Sequence, residues 1–143
     1  MKLFTIGFTK STARNFFERL KGSGARTLVD VRLNNDSQLA GFAKKGDIAY
    51  FAESLCGMSY THRPDLAPTA DIFDAYKKKK GPWTDLERDF SALMAERRIE
   101  EIDRNDLDGG CLLCSEDTPH HCHRRLVAEY LQEKWGDVEI VHL

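Results

Sequence analysis

The fifteen residues Cys111-Leu-Leu-Cys-Ser-Glu-Asp-Thr-Pro-His-His-Cys-His-Arg-Arg125 give the strongest fold signal in the chain. They contain three of its four cysteines and three of its five histidines. The segment starts as a short apolar strand ending at Cys114, and after a loop it predicts a helix with Thr118 as N-cap and Pro119 at the first helical position. A strand that runs through a tight loop into a helix is typical of α/β sites, where unpaired N–H groups of the helix face an anion.

Strand and helix patterns alternate along the rest of the chain. Apolar runs predict strands at residues 3–8, 27–32, 58–63, 111–114 and 138–143. Helical spacing predicts a helix capped by Ser11 or Thr12 and ended near Gly24, one from Asp47 to Gly57, one capped by Asp71, and one over residues 84–102. Residues 33–45 are predicted to form a loop. This alternation predicts a single α/β domain over residues 1–143, with three layers and a mostly parallel five-stranded sheet covered by helices on both faces.

The composition limits the classes of function. The chain has 143 residues, and its 41% hydrophobic and 31% charged content is ordinary for one globular domain. A net charge of -2 argues against a general nucleic-acid or membrane-surface binder. The sequence has no apolar run of membrane-spanning length and no signal-peptide layout, so the four cysteines indicate free thiols or metal ligands in a reducing compartment. We therefore expect a cytoplasmic protein.

Polar residues follow the predicted strands at the edge where ligands bind in open α/β sheets. Asp30 and Arg32 are two residues apart, so they share one face of their strand. A buried aspartate needs a nearby cation, and this pair either belongs to a site or braces a loop. The substrate-binding candidates at this edge are Gly7, Thr9, Asp30, Arg32 and Arg124, and the catalytic candidates are Cys114, Glu116, Cys122 and His123.

The cysteines of this segment differ in their expected roles. Cys111 and Cys114 are three apart on a strand and point to opposite faces, so Cys111 is expected in the core. Cys122 is expected in the first turn of the helix, where the helix dipole, His123 and Arg124 would lower its pKa. Core packing of Cys122 is the alternative.

Three kinds of chemistry fit the cluster. The first is thiol-dependent catalysis or anion capture, with Cys122 or Cys114 as the thiolate. The second is a zinc site from Cys114, Cys122, His123 and either His120 or His121. The ligand types suit zinc, but the spacing between the two cysteines is long. The adjacent residues Cys122 and His123 would also point about 100° apart on a helix. The third is a structural motif in a protein or nucleic-acid binding module, in which lysines 44, 45 and 77–80 would contact nucleic acid.

The string Cys114-Ser-Glu-Asp-Thr-Pro-His-His-Cys-His-Arg124, together with Thr5-Ile-Gly7 and Val29-Asp-Val-Arg32, resembles the domain of unknown function 488 family over nearly the whole chain. The resemblance implies a fold and one shared site rather than a reaction, with the site formed by Asp30, Arg32, Cys114, Glu116, Cys122, His123 and Arg124. Residues 33–41 and 65–69 depart from the family's pattern and indicate a compact subgroup.

These observations favour an enzyme that binds an anionic, phosphate-bearing small molecule or a nucleotide at the carboxyl edge of the sheet. Arg32 and Arg124 would hold the anion, Glu116 would act as acid or base, and Asp30 would orient Arg32. The alternative is a non-catalytic module that uses its cysteines and histidines for zinc or for an interface.

Overall fold

A single parallel sheet organises the structure, a computed structural model that describes residues 1–36 and 40–143. Its strands are β1 (Lys2–Gly7), β2 (Thr27–Asp30), β3 (Ser59–His62), β4 (Gly110–Cys114) and β5 (Glu139–His142). They lie in the order β3-β2-β4-β1-β5, and every neighbouring pair is parallel. The expected α/β class and five-stranded sheet are confirmed, and the sheet is parallel throughout.

Six helices accompany the sheet in the described residues: α1 (Ala13–Ser23), α2 (Lys45–Cys56), α3 (Ala70–Lys77), α4 (Trp83–Arg97), α5 (Arg104–Leu107) and α6 (His123–Trp135). Short 3-10 turns occur at Gly41–Ala43, Pro64–Leu66 and Ile99–Glu101. In the part of the chain that the structure describes, none of the helices has the length and apolar character needed to span a bilayer.

Capping residues define several helix ends where the sequence predicted them. Thr12 accepts a hydrogen bond from the Asn15 N–H at the start of α1, and Gly24 and Gly57 end α1 and α2 in the left-handed conformation, with φ of 75° and 65°. The cap predicted for α3 is wrong, because Thr69 rather than Asp71 accepts the first-turn bond.

Two other boundaries differ from the prediction, and one short helix was not predicted. Helix α4 ends at Arg97, because Arg98 has a φ of 53° and the chain continues as a 3-10 turn. The predicted loop at 33–45 contains the 3-10 turn at Gly41–Ala43 and the first residue of α2, while its residues 37–39 lie outside the described part. The short helix α5 was not predicted.

The start of α6 differs most, because the prediction of Thr118 as N-cap is wrong. Cys122 is the N-cap, with extended backbone angles of -128° and 136°, and its side chain makes no capping hydrogen bond. Residues 115–122 are turns and bends, in which the Cys122 N–H donates to the Pro119 carbonyl. Cys122 therefore lies before the helix, whereas His123 and Arg124 lie in its first turn.

The two faces of the sheet have separate cores. Helices α1 and α2 cover one face with apolar side chains that include Phe16 and Ile48, and Cys111 lies in this core as predicted. Helices α3, α4 and α6 cover the other face, where Phe90 packs in the same core as Cys114 and Cys122. Alternation along β4 thus separates Cys111 from Cys114.

The topology opens a crevice between β2 and β4. These strands are neighbours, but the chain leaves β2 toward α2 on one face and leaves β4 toward α6 on the opposite face. In open parallel sheets, the carboxyl ends of two such strands border the usual ligand crevice. Arg32 follows β2 and Cys114 ends β4, so both residues lie at this crevice.

Candidate functional site

A pocket of about 290 Å³ lies at the crevice, near the lower end of the range for small-molecule sites. Its buried lining is Arg32, Leu86, Cys114, Cys122 and His123, and its more exposed lining is Leu33, Asn34, Phe73, Tyr76, Lys77, Trp83, Ser115, Glu116 and His121. The pocket thus combines a polar buried end with aromatic walls.

Five predicted site residues line this pocket: Arg32, Cys114, Glu116, Cys122 and His123. Asp30 is fully buried behind Arg32. The other three predicted residues, Gly7, Thr9 and Arg124, do not line it.

Cys114 and His123 form a pair at the buried end. Cys114 Sγ lies 3.4 Å from His123 Nδ1, and His123 Nε2 lies 2.6 Å from the Val31 carbonyl oxygen. Because a carbonyl oxygen can only accept, Nε2 carries a hydrogen, and in the neutral ring Nδ1 presents its lone pair to Cys114. Burial lowers the pKa of His123 and favours this neutral ring.

The lowered pKa belongs to Cys114 rather than to Cys122. The neighbouring Cys122 thiol outweighs the effect of burial and lowers the pKa of Cys114, and the Ser115 N–H lowers it further. Burial raises the pKa of Cys122, and the neighbouring Cys114 raises it further. The prediction that Cys122 has the lowered pKa is therefore wrong, and Cys114 is the better thiolate.

Asp30 holds Arg32 in a two-point ion pair. Arg32 Nε donates to Asp30 Oδ1 at 2.9 Å, and Nη2 donates to Oδ2 at 2.7 Å and to the Ala43 carbonyl at 2.7 Å. The Tyr60 hydroxyl donates to Asp30 Oδ2 at 2.6 Å. Burial opposes the charge on Arg32, but the Asp30 carboxylate raises the pKa of the guanidinium.

One nitrogen of Arg32 is left for another partner. Arg32 is 4% exposed, and its buried Nη1 has no hydrogen-bond partner among residues 1–36 and 40–143. A buried, unpaired donor of a charged group is costly, and a ligand acceptor in the pocket would remove that cost.

Arg124 stabilises the loop beside the pocket. Its fully buried guanidinium donates from Nε to Thr5 Oγ1 at 3.2 Å and from Nη1 to the Glu116 carbonyl at 2.5 Å. Thr5 Oγ1 in turn lies 2.6 Å from His142 Nδ1. Arg124 thus crosses over β1 and fixes the backbone of Glu116, whose side chain lines the pocket.

Gly7 and Thr9 support the same loop from the end of β1. The Thr9 N–H and hydroxyl both donate to the Ser115 carbonyl, at 3.0 and 2.8 Å. A Cβ on Gly7 would lie 1.5 Å from the Glu116 carbonyl oxygen, so this position accepts only glycine without a backbone shift.

Three buried side chains could together hold a metal ion. The donor atoms of Cys114, Cys122 and His123 all lie within 4.8 Å of one another. The objection that Cys122 and His123 would diverge on a helix does not apply, because Cys122 is the extended N-cap. The suggested fourth ligands, His120 and His121, instead stack on each other at 4.3 Å between ring centroids.

The family model described as domain of unknown function DUF488 matches residues 12–131. The chain belongs to the DUF488 family. Neither a search of curated proteins nor a search of solved structures found a match. Membership therefore confirms the resemblance that the Cys114–Arg124 string indicated.

The sequence did not point to the aromatic wall of this DUF488 pocket. Phe73 and Tyr76 from α3 and Trp83 from α4 line it, and the Trp83 ring stacks on His121 with centroids 5.0 Å apart. Phe73 and Tyr76 lie in the helix predicted after Asp71, but its spacing does not show what its apolar face covers, and Trp83 precedes the helix predicted over residues 84–102. Lys77, which the sequence suggested only as a nucleic-acid contact of a binding module, pairs with Glu116 at 3.1 Å beside the pocket.

Proposed function

We propose that this protein is a cytosolic, thiol-dependent enzyme that binds a small phosphate-bearing molecule or a nucleotide in the pocket between β2 and β4. Cys114 acts as the nucleophile, and Arg32 binds the anionic group through Nη1. The observation that carries the proposal is the contact of Cys114 Sγ with His123 Nδ1 at the buried end of the pocket.

The proposed roles follow the hydrogen bonds. His123 accepts the Cys114 proton at Nδ1, while the Val31 carbonyl orients its ring, which is the arrangement of nucleophile, base and orienting group in thiol and hydroxyl catalysis. The Cys122 thiol donates to the resulting thiolate. Glu116, partly exposed beside Lys77, exchanges a proton with the leaving group.

Arg124 has a positioning role in this proposal. It is fully buried and bonds to the Glu116 carbonyl, so it sets the position of the loop that carries Ser115 and Glu116. A planar part of the ligand, such as a nucleobase, would lie against Tyr76 and Trp83, because flat rings stack favourably on aromatic faces.

Pulsed alkylation with iodoacetamide tests the proposal. Peptide mass mapping of native protein should find Cys114 labelled much faster than Cys111, which is buried in the opposite core. AMP and inorganic phosphate should slow the labelling of Cys114 as their concentration rises. Labelling of Cys114 that no phosphate-bearing probe slows would contradict the ligand assignment.

A pair of lysine variants locates the ligand. Lys77→Ala should weaken protection by AMP several-fold, because Lys77 lines the pocket and its charge attracts phosphate. Lys79→Ala removes the same charge from an exposed position outside the lining and should leave protection unchanged. Equal effects of the two variants would mean that only the overall charge matters.

A zinc site is the second candidate, favoured by the convergence of Cys114, Cys122 and His123. Zinc ligation through His123 Nδ1 would leave Nε2–H bonded to the Val31 carbonyl, the outer-shell contact typical of metal-bound histidines. The pocket would then lie at the fourth ligand position. Native mass spectrometry decides between the candidates: a stoichiometric metal whose removal by a chelator exposes Cys114 to alkylation supports zinc, and metal-free protein with a reactive Cys114 supports the thiolate.

A further inference from the structure

The four thiols of the chain lie in different surroundings. Cys111 is buried in the core on the α1–α2 side, and Cys56 lies on α2, where its thiol donates to the Phe17 carbonyl. Cys114 and Cys122 instead share the pocket, with their sulfur atoms within 4.8 Å of each other. These two thiols therefore form a pair that a small pocket ligand can reach.

The pair can close into a disulfide with a limited movement. The sulfur atoms must approach from that separation to about 2.05 Å. The Cys122 side chain makes no capping bond to α6, so it can turn toward Cys114 while the Cys122 backbone keeps its hydrogen bonds to the Pro119 carbonyl and the Arg125 N–H. The other thiol, Cys114, lies at the last position of β4, directly before the loop that leads to Cys122.

We propose that Cys114 and Cys122 are a redox-active dithiol that reduces a hydroperoxide in this pocket. The inference rests on the proposed function in one respect, since it needs an accessible Cys114 thiolate. Cys122 supplies the second thiol, which the nucleophilic reaction does not use as an attacking group.

The chemistry proceeds in two steps. In the first step, the Cys114 thiolate attacks the distal oxygen of the hydroperoxide, so the S–O bond forms and the O–O bond breaks. The leaving alkoxide or hydroxide takes the proton that His123 received from Cys114. The Cys122 sulfur then attacks the sulfenic acid of Cys114; the S–S bond forms, the S–O bond breaks, and hydroxide leaves with the Cys122 proton as water. In the net reaction, two thiols are oxidised to a disulfide and the hydroperoxide is reduced to an alcohol, or to water, with release of a further water.

The oxidised form lacks the Cys114 nucleophile. The disulfide therefore also switches off the proposed thiol-dependent activity until an external dithiol restores the two cysteines by exchange.

Hydrogen peroxide is the probe for this inference. Native protein is treated with substoichiometric peroxide, the remaining thiols are alkylated under denaturing conditions, and peptides are mapped by mass spectrometry. The expected result is a Cys114–Cys122 cross-link that dithiothreitol reverses. A dimedone-type reagent should trap a sulfenic acid on Cys114 in the Cys122→Ser variant, whereas Cys56→Ser should behave as wild type. Absence of a cross-link in the wild-type protein, or a cross-link that contains Cys56, would overturn the inference. Because this peptide mapping uses the wild-type protein, it does not depend on the folding of any variant.

Two measurements, alkylation of Cys114 and the peroxide-dependent cross-link, distinguish failure of the dithiol role from failure of the proposed function. Fast alkylation of Cys114 without a peroxide-dependent cross-link would refute only the dithiol role. Absence of both would refute the accessible thiolate as well.

Discussion

Replacing Gly7 with alanine should destabilise the protein by about 3–5 kcal/mol, because it breaks a group of hydrogen bonds that hold the Ser115–Glu116 loop. The added Cβ would lie 1.5 Å from the Glu116 carbonyl oxygen and 2.9 Å from Arg124 Nη1. Contacts of Cβ atoms under 3.0 Å are essentially never observed, so the backbone of the loop must move.

The magnitude follows from what such a movement breaks. It separates the Ser115 carbonyl from the Phe8 and Thr9 N–H groups, at 3.3 and 3.0 Å, and the Glu116 carbonyl from Arg124, at 2.5 Å. A neutral hydrogen bond contributes about 0.5–1.5 kcal/mol and one to a charged group about 1.5–3 kcal/mol. The total is a large fraction of the roughly 5–15 kcal/mol that stabilises a typical domain.

Gly22→Ala is the matched control. Gly22 lies inside α1, and a Cβ there meets nothing within 4 Å, so alanine should stabilise the helix by about 0.5–1 kcal/mol. Urea unfolding followed by circular dichroism measures both variants. A loss below about 1 kcal/mol for Gly7→Ala, in the same assay, would refute the close approach of the loop to β1.

Two further predictions concern charged and titratable groups. Asp30→Asn should lower the free energy of unfolding in urea by about 3–5 kcal/mol, because it leaves the Arg32 cation buried without its carboxylate. Asp65→Asn, in a partly exposed pair with Arg63, should lower it by under about 1 kcal/mol, and similar losses for both variants would contradict the buried pair. Desolvation lowers the pKa of the buried His123 and, together with the nearby Arg124 charge, that of His142, so the unfolded chain binds protons first as pH falls below 6.5. Stability should therefore decrease from pH 7 toward pH 5, and His142→Gln should make that decrease smaller, whereas an unchanged slope would contradict the lowered pKa of His142.

The sequence was most informative where a local pattern determines the structure. Apolar runs identified all five strands, and alternation along β4 correctly separated Cys111 from Cys114. The carboxyl-edge rule then placed Arg32 and Cys114 at one crevice, because in a parallel sheet strand order decides which ends meet.

The prediction of the α6 start failed because two signals competed. Thr118 followed by Pro119 is a strong capping pattern, and Cys122 is a weak N-cap with no side-chain bond. The intervening residues instead place His121 on Trp83, a tertiary contact that no local pattern contains. The pKa prediction failed with it, because Cys122 lies before the first helical turn and burial raises the pKa of its thiol.

The pocket walls could not be derived for a similar reason. Phe73, Tyr76 and Trp83 come from the long connection between β3 and β4, whose path over the sheet depends on packing between α3, α4 and α6. Arg124 illustrates the same point: its place in the motif suggested an anion clamp, but its bonds to Thr5 and Glu116 depend on how α6 lies over β1.

The pH dependence of Cys114 alkylation tests the central claim most directly. We predict metal-free protein in which Cys114 reacts with a half-maximal pH below the ordinary thiol value, because the neighbouring Cys122 thiol lowers its pKa. Cys122→Ala should move that midpoint upward. A midpoint at or above the ordinary thiol value, or a Cys114 that reacts only after a chelator is added, would contradict it.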